Sequence, residues 1–197
     1  MGYTTDFSGS FQLNKPLQPK IKQYLQKLAE TRRMARKVDE AFGIEGEFYV
    51  FGGGTFGQNR DENIIDYNRE PSTQPGLWCQ WVPNEDGTAI EWDGGEKFYS
   101  YSEWLFYIIN KILAPNGYVL NGSVTWQGEE IGDVGKINVE NNIITIAPYD
   151  DNSYLLTSDK ITKYRYSIGN IVDYMRTDVV LIIDEESTEL MGNNKNF

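Results

Sequence analysis

The strongest constraint on the fold is a change of hydrophobic period between residues 77 and 112. Residues Leu77–Val82 and Thr88–Asp93 alternate with the period of two that is typical of β-strands. Pro83 and Asp86-Gly87 lie between these runs and favour a hairpin loop. Further along, apolar residues recur at helical spacing, at Trp104, Leu105, Ile108, Ile109 and Ile112. The segment therefore predicts a β-hairpin followed by a helix.

The predicted helix has both a start signal and a stop signal. Ser100 and Glu103 stand three residues apart, which is the spacing of a capping box. Pro115-Asn116-Gly117 follows the last apolar turn and is typical of a helix end.

The flanking segments extend this unit into a sheet. Phe7–Leu13 alternates as a half-buried strand, and Pro19 opens a helix with one apolar stripe, formed by Ile21, Tyr24, Leu25 and Leu28. Tyr118–Ile146 predicts a three-strand meander with a turn at Asn141-Asn142. We therefore expect an α+β fold, in which two helices pack on one face of an antiparallel sheet.

The chain is expected to divide near residue 148. Residues 1–148 form the predicted core domain, and residues 149–197 form a C-terminal β-α-β extension with an acidic, frayed tail. In the extension we predict strands at Lys160–Tyr166 and Val179–Ile183, with a helix at Ile168–Arg176 between them. Residues 43–75 are irregular and rich in glycine, with a short strand predicted at Glu47–Phe51.

Residue usage removes several classes of site. The chain has no histidine and one cysteine, Cys79, which excludes Ser-His-Asp and Cys-His triads, histidine bases and an internal disulfide. We expect no cofactor and no metal. Without histidine and with one cysteine, a metal would have to be a hard cation held by carboxylates. Glu129, Glu130 and Asp133 are such carboxylates, and we interpret them as a solvated turn.

Charge is distributed unevenly along the chain. Residues 1–37 carry a net charge of +6 and residues 38–197 a net charge of −17, which together give −11. Such an acidic body repels a nucleic-acid duplex but is compatible with a basic partner protein. No apolar run approaches the length of a membrane span, and the N-terminus lacks a signal pattern, so we expect a cytoplasmic protein without a membrane partner.

A candidate binding surface surrounds the predicted hairpin. Aromatic faces stack on nucleobases and arginine grips phosphate, so these residue types indicate a small anionic, nucleotide-like ligand. The predicted recess is lined by Trp78, Gln80, Trp81, Glu91, Asp93 and Lys97, with Arg32, Arg33 and Arg69 as anion contacts. Arg32 follows Leu28 by four residues, so we expect it to point towards the body. The alternatives are core packing for the tryptophans and helix-dipole compensation for the arginines.

Five segments have distinctive motifs: GYTTDFSGSF at Gly2–Phe11, TRRM at Thr31–Met34, PSTQPGLWCQWVP at Pro71–Pro83, IEWDGGEKFY at Ile90–Tyr99 and GYVLNGSVTWQGE at Gly117–Glu129. With these motifs the chain resembles a family of uncharacterised proteins found in bacterial genomes and in phages. The resemblance covers about residues 2–147. It implies a bacterial or phage setting and no mechanism.

Three functions follow from these observations. The favoured hypothesis is a non-catalytic binding protein that acts in host–phage conflict, either by sequestering a small nucleotide-like ligand or by blocking a host protein. The first alternative is a hydrolase of a glycosidic or phosphate bond that uses Glu91, Asp93 or Glu96 as acid and base. The second is a structural protein that forms homo-oligomers through Val179–Ile183.

Overall fold

The computed structural model describes residues 2–50, 62–148 and 154–156, together with Leu181 and Ile183. Its nine strands are β1 (Thr5–Leu13), β2 (Ala35–Arg36), β3 (Ile64–Asp66), β4 (Trp81–Pro83), β5 (Ala89–Trp92), β6 (Leu120–Gly128), β7 (Val134–Glu140), β8 (Ile143–Pro148) and β9 (Tyr154–Leu155). The helices are α1 (Pro19–Glu30) and α2 (Tyr101–Ile108); α2 continues into a π-turn at Ile109–Leu113 and a 3₁₀ turn at Ala114–Asn116. A 3₁₀ turn also occurs at Glu40–Phe42. None of the helices in the described ranges is long and apolar enough to cross a membrane.

Seven strands form one antiparallel sheet in the order β4-β5-β1-β6-β7-β8-β9. Strand β1 lies inside this sheet and pairs with β6 over nine residues, from Thr5↔Gly128 to Leu13↔Leu120. The predicted hairpin is present, with Trp81 opposite Trp92. The predicted meander is present too, and its Asn141-Asn142 turn has the positive φ values, 50° and 69°, that a two-residue hairpin loop requires. The expectation of an antiparallel sheet with two helices is confirmed.

The two faces of the sheet differ in chemistry. On one face Phe11, Val124 and Ile137 are fully buried and belong to the same apolar cluster as both helices. On the opposite face Ser8, Thr125 and Lys136 are exposed. The alternation of side chains along each strand produces this difference, because neighbouring residues point to opposite faces.

Helix α1 buries the predicted apolar stripe. It ends before Arg32, however, which was predicted to follow Leu28 by one helical turn and to point towards the body. Its buried residues are Ile21, Tyr24, Leu25 and Leu28, as expected. The backbone leaves the helix at Thr31, which is extended at φ −105° and ψ 125°. Arg32 therefore does not continue the apolar stripe and is only half-buried, whereas Arg33 is 2 % exposed.

Helix α2 has the predicted apolar stripe, but its N-terminus differs from the predicted capping box. Ser100 adopts a left-handed conformation at φ 53° and makes no side-chain capping bond. Glu103 accepts a hydrogen bond from the Ser102 hydroxyl at 2.9 Å instead. The strand predicted at Glu47–Phe51 is wrong for residues 47–50, since a turn covers residues 44–48. The reason is that the carbonyl oxygens of Gly46 and Glu47 accept hydrogen bonds from the Arg33 side chain rather than from a neighbouring strand.

The described residues of the C-terminal segment contribute to the sheet and its core. Strand β9 pairs with β8, and Leu156, Leu181 and Ile183 are buried in the main apolar cluster. The amide of Leu181 donates to the Lys111 carbonyl at 2.7 Å, and the amide of Ile183 donates to Asn116 Oδ1 at 3.0 Å. These two amides are thus engaged within the chain. The strand and helix predicted between residues 160 and 176 lie outside the described residues.

Gly122 occupies a position in β6 where a side chain cannot be accommodated. Its φ is 132°, and a Cβ atom there would lie 2.8 Å from the Ser10 carbonyl oxygen of β1. We expect Gly122→Ala to lower the free energy of unfolding by about 2 kcal/mol, from backbone strain and the steric contact together. Urea unfolding followed by tryptophan fluorescence measures the loss.

A matched control for this variant is Gly94→Ala. Gly94 also has a positive φ, 81°, but a Cβ atom there would have no neighbour within 4 Å. Only the strain of the left-handed backbone remains, so the loss should be about 1 kcal/mol. Equal losses in the two variants would show that the contact with β1 has no energetic effect.

Candidate functional site

Trp81, which the sequence placed in a recess, lies in the core. It is 0 % exposed, and its ring packs edge-on against Phe7, Phe11 and Phe98 at centroid distances of 5.4, 5.6 and 5.3 Å. Its indole Nε1 donates to the Tyr101 carbonyl at 2.7 Å. The indole therefore ties β4 to the start of α2 and offers no free face for stacking.

Gln80 and Asp93 do lie together, at the end of the hairpin. The Asp93 amide donates to the Gln80 carbonyl at 3.0 Å. The Gln80 side chain accepts from Trp92 Nε1 at 3.0 Å and donates to the Glu96 carbonyl at 2.9 Å. Burial raises the pKa of the Asp93 carboxyl, although the Gly95 amide, 2.7 Å away, opposes that effect. Trp92, half-buried beside them, is part of this surface and was not predicted.

The remaining hairpin residues are separated from one another. Glu91 is half-buried in β5 opposite Val82, and Trp78 is half-buried before β4 begins. Lys97 is exposed, has a φ of 61° and extends beside Gly2. Within the part of the chain that the structure describes, Glu91 and Asp93 form no ion pair with an arginine.

The three predicted arginines belong to two different environments. Arg32 donates to Asn68 Oδ1 at 3.3 Å, and Arg69 forms an ion pair with Glu45 at 3.6 Å. Both are therefore close to the segment that follows β3. Arg33, in contrast, is buried beneath the turn at residues 44–48. The structure thus does not gather the nine predicted residues into one recess.

Arg33 is the most deeply buried charge among the predicted site residues. Its Nε donates to Gln74 Oε1 at 2.8 Å, and its terminal nitrogens donate to the backbone carbonyls of Gly46, Glu47 and Tyr49. Burial lowers the pKa of the guanidinium, and the nearby Arg36 adds to this effect. Arg33 thereby fixes the irregular chain after β2 to the segment before β4.

The acidic turn between β6 and β7 is not only a solvated turn, because one of its three carboxylates has a structural role. Glu129 and Glu130 are exposed, as predicted, but Asp133 is half-buried. Its carboxylate accepts from the Tyr3 hydroxyl at 2.5 Å and from Trp126 Nε1 at 3.0 Å, and the first of these bonds raises the pKa of Tyr3. The described residues contain no cluster of three acidic or cysteine side chains positioned to hold a metal.

A recess of about 520 Å³ lies against the sheet. Small-molecule sites occupy roughly 300–1,000 Å³, so its size fits a metabolite. Three strands and the edge of a fourth line it: Asp6, Phe7 and Ser8 of β1, Thr125, Trp126 and Gln127 of β6, Val134, Gly135 and Lys136 of β7, and Ala147 of β8. None of these residues was predicted as a site residue.

Strand register explains how the polar groups of the recess come together. One row across the sheet contains Ser8, Thr125 and Lys136, and the adjacent row contains Asp6 and Gln127. Residues directly opposite on antiparallel strands share a face, so hydroxyl, amide, carboxylate and ammonium groups stand side by side. The sequence indicates the polar alternation of each strand, but only the pairing of β1, β6 and β7 assembles the set.

Cys79, two residues before β4 of the β4–β5 hairpin, is buried. Burial raises the pKa of its thiol to about 12. We expect the native thiol not to react with Ellman's reagent at pH 8, since the thiolate is the reactive form. In the unfolded chain the thiol ionises near pH 8.5. The stability that the buried, neutral thiol contributes is therefore complete below that pH and is lost as the pH rises towards 12.

Urea unfolding between pH 8 and 11.5 measures this loss. The midpoint should fall steadily with pH in the wild type and less steeply in Cys79→Ala. Buried Tyr24 and Tyr107, whose pKa values burial also raises, add to the fall in both proteins. Rapid reaction of the native thiol at pH 8, faster than global unfolding, would contradict the buried environment.

No protein-family model matches this chain, and no curated protein or solved structure matches it either.

Proposed function

We propose that this chain is a non-catalytic binding protein whose ligand occupies the recess on the sheet. The observation that carries the proposal is the recess itself: about 520 Å³, bordered by side chains that both donate and accept hydrogen bonds. Neither described helix covers the outer face of β1, β6 and β7, since both helices belong to the cluster on the opposite face. Within the described residues, a ligand therefore reaches the recess directly from solvent.

The lining is mostly apolar with several polar groups, which favours a small ligand that combines an apolar part with at least one charged group. Ser8, Thr125 and Gln127 supply neutral hydrogen-bonding groups, while Lys136 supplies a positive charge for an anionic group. Val134 and Ala147 add apolar contact. Asp6 discriminates against a ligand that is negative along its whole length, because it would repel an anion placed beside it.

The biological setting of the proposal is a bacterial or phage-infected cell, in the cytoplasm. What supports it is the family resemblance together with the single cysteine, since paired cysteines are typical of oxidising compartments. There, a protein of this kind would sequester a small ligand and so act in counter-defence. Nucleotides remain one version of the ligand. In the alternative mode of action, the protein blocks a host protein. The net charge of −11 favours a basic host protein as that partner.

The decisive experiment compares two double variants in a thermal-shift screen of amino acids, sugars, organic acids and nucleotides. Ser8→Ala/Lys136→Met alters the recess. Ser10→Ala/Lys27→Met removes the same groups from β1 beside the recess and from α1. We expect a ligand that raises the Tm of the wild type, and an affinity for it that falls about tenfold or more in the recess variant, as the loss of one to two hydrogen bonds implies.

Calorimetric titration of the best ligand separates the outcomes. Unchanged affinity in Ser10→Ala/Lys27→Met, with weakened affinity in Ser8→Ala/Lys136→Met, supports the recess. If both double variants bind as tightly as the wild type, the recess is not the site.

A carboxylate-based hydrolase is the second candidate, and one observation favours it. Burial raises the pKa of Asp93, and a raised carboxyl pKa suits an acid catalyst. We expect Glu91→Gln and Asp93→Asn each to abolish any glycosidase or phosphatase turnover that the wild type shows. Turnover that is unchanged in both variants would exclude a hydrolase that uses these two carboxylates.

A further inference from the structure

Two side chains of opposite charge line the recess on the sheet without neutralising each other. Asp6 of β1 and Lys136 of β7 both border it, and both are exposed. In the part of the chain that the structure describes, neither the Asp6 carboxylate nor the Lys136 ammonium has an ion-pair partner. A recess with one such charge of each sign is complementary to a ligand that also carries both.

The strand register determines where these two charges lie. Asp6 stands opposite Gln127 on β6, and Lys136 stands opposite Thr125, two residues earlier on the same strand. Asp6 and Lys136 are therefore two strands apart across the sheet and two residues apart along it. Side chains at these positions point to the same face of the sheet.

Sheet geometry converts this register into a distance. Strands lie about 4.8 Å apart and residues follow one another every 3.4 Å or so along a strand, which puts the Cα atoms of Asp6 and Lys136 about 12 Å apart. When both side chains stand upright, a charge-assisted hydrogen bond of about 2.8 Å at each end leaves roughly 6 Å between the two charges of a bridging ligand. One extended small molecule therefore reaches both side chains.

The floor between the two charges suits an apolar spacer. Val134 and Ala147 line the recess, and so does Thr125, whose side chain carries a methyl group. Thr125 lies on β6, the strand between those that carry the charges, and its hydroxyl donates to the Ser8 carbonyl at 3.3 Å. A short methylene chain that lies over this floor removes apolar surface from water on both sides.

We propose that the recess binds an extended zwitterion, a small molecule whose ammonium group and carboxylate are separated by a short apolar spacer. The ligand ammonium donates to the Asp6 carboxylate, and the ligand carboxylate accepts from the Lys136 ammonium. Dipeptides and ω-amino acids have this chemistry, whereas an α-amino acid with an uncharged side chain has both charges on one carbon. The inference rests on the proposed binding function of the recess and adds the chemical class of its ligand.

The test titrates the full chain calorimetrically with probes of matched length, namely 5-aminopentanoate, pentanoate and pentylamine. The first carries both charges, and each of the other two lacks one. We expect 5-aminopentanoate to bind at least about tenfold more tightly than either, because a singly charged probe loses one charge-assisted hydrogen bond. Free glycine, which cannot span the gap, should bind no more tightly than the singly charged probes.

Single variants assign each end of the ligand to one side chain. Asp6→Asn should weaken the binding of 5-aminopentanoate about tenfold without weakening that of pentanoate. Lys136→Met should weaken it to a similar extent without weakening that of pentylamine. Glu140→Gln is the control, since it changes an exposed carboxylate of β7 outside the recess, and it should leave all three affinities unchanged.

The outcomes separate this inference from the proposed function. The zwitterion assignment is overturned if 5-aminopentanoate binds no more tightly than the singly charged probes, or if Asp6→Asn binds it as tightly as the wild type. The proposed function still stands in that case if another ligand of the thermal-shift screen loses affinity in Ser8→Ala/Lys136→Met. If no ligand loses affinity there, the function and the inference fail together.

Discussion

Trp81→Ala is expected to lower the free energy of unfolding by about 4 kcal/mol, within the range for removing a large aromatic side chain from a core. The indole is fully buried and packs edge-on against Phe7, Phe11 and Phe98. The substitution opens a cavity among these rings and removes the hydrogen bond from the indole Nε1 to the Tyr101 carbonyl. Urea unfolding followed by far-UV circular dichroism measures the loss.

Trp92→Ala is the control for this prediction. Trp92 faces Trp81 across the hairpin but is half-buried, and its indole bonds to a side chain at the surface. We expect it to cost about half as much, because less apolar area is transferred to water. A loss below about 1 kcal/mol for Trp81→Ala would show that the interior is less tightly packed than the ring contacts indicate.

Arg33→Met should destabilise the protein by about 3 kcal/mol, because buried acceptors lose their hydrogen bonds from the guanidinium. Methionine fills a similar length but donates no hydrogen bond. The side chain of Gln74 and the carbonyls of Gly46, Glu47 and Tyr49 would lose the donors that hold them in the interior. Removal of a buried charge offsets part of this cost, so the expected loss is smaller than that of four full hydrogen bonds. Urea unfolding reports the free energy.

Two further variants check that the guanidinium geometry is responsible. Arg32→Met changes the adjacent residue, whose side chain, within the described residues, donates one hydrogen bond, to Asn68 Oδ1 at 3.3 Å, and should cost less than about 1 kcal/mol. Arg33→Lys keeps the charge but cannot reach acceptors in several directions, so its loss should approach that of Arg33→Met. Equal stability of Arg33→Met and the wild type would refute a structural role for Arg33.

Elements with a local cause could be predicted from the sequence. The stripe of Tyr24 and Leu28 in α1 follows from a period of 3.6, and the Asn141-Asn142 turn follows from residues that tolerate positive φ. The capping box at Ser100 failed although its spacing is right. The backbone there is left-handed because it connects the hairpin to α2, and that connection is a tertiary feature.

The candidate sites could not be predicted, because their residues are distant in sequence. Arg33 donates to Gly46, Glu47, Tyr49 and Gln74, and no pattern near Arg33 identifies these acceptors. Trp81 has the same residue type and neighbours that a stacking site would have, yet its burial depends on β1 and α2. The recess combines β1 with β6 and β7, more than a hundred residues further along the chain.

The sequence by itself determined that this chain forms an antiparallel sheet with two amphipathic helices, since hydrophobic period and turn residues act over a few neighbouring positions. It also determined the exclusion of histidine chemistry. Only the tertiary structure decided which strands pair and in which register, which arginine was buried and where polar groups met. These features depend on strand register and helix ends, where a shift of one residue exchanges the two faces of a strand.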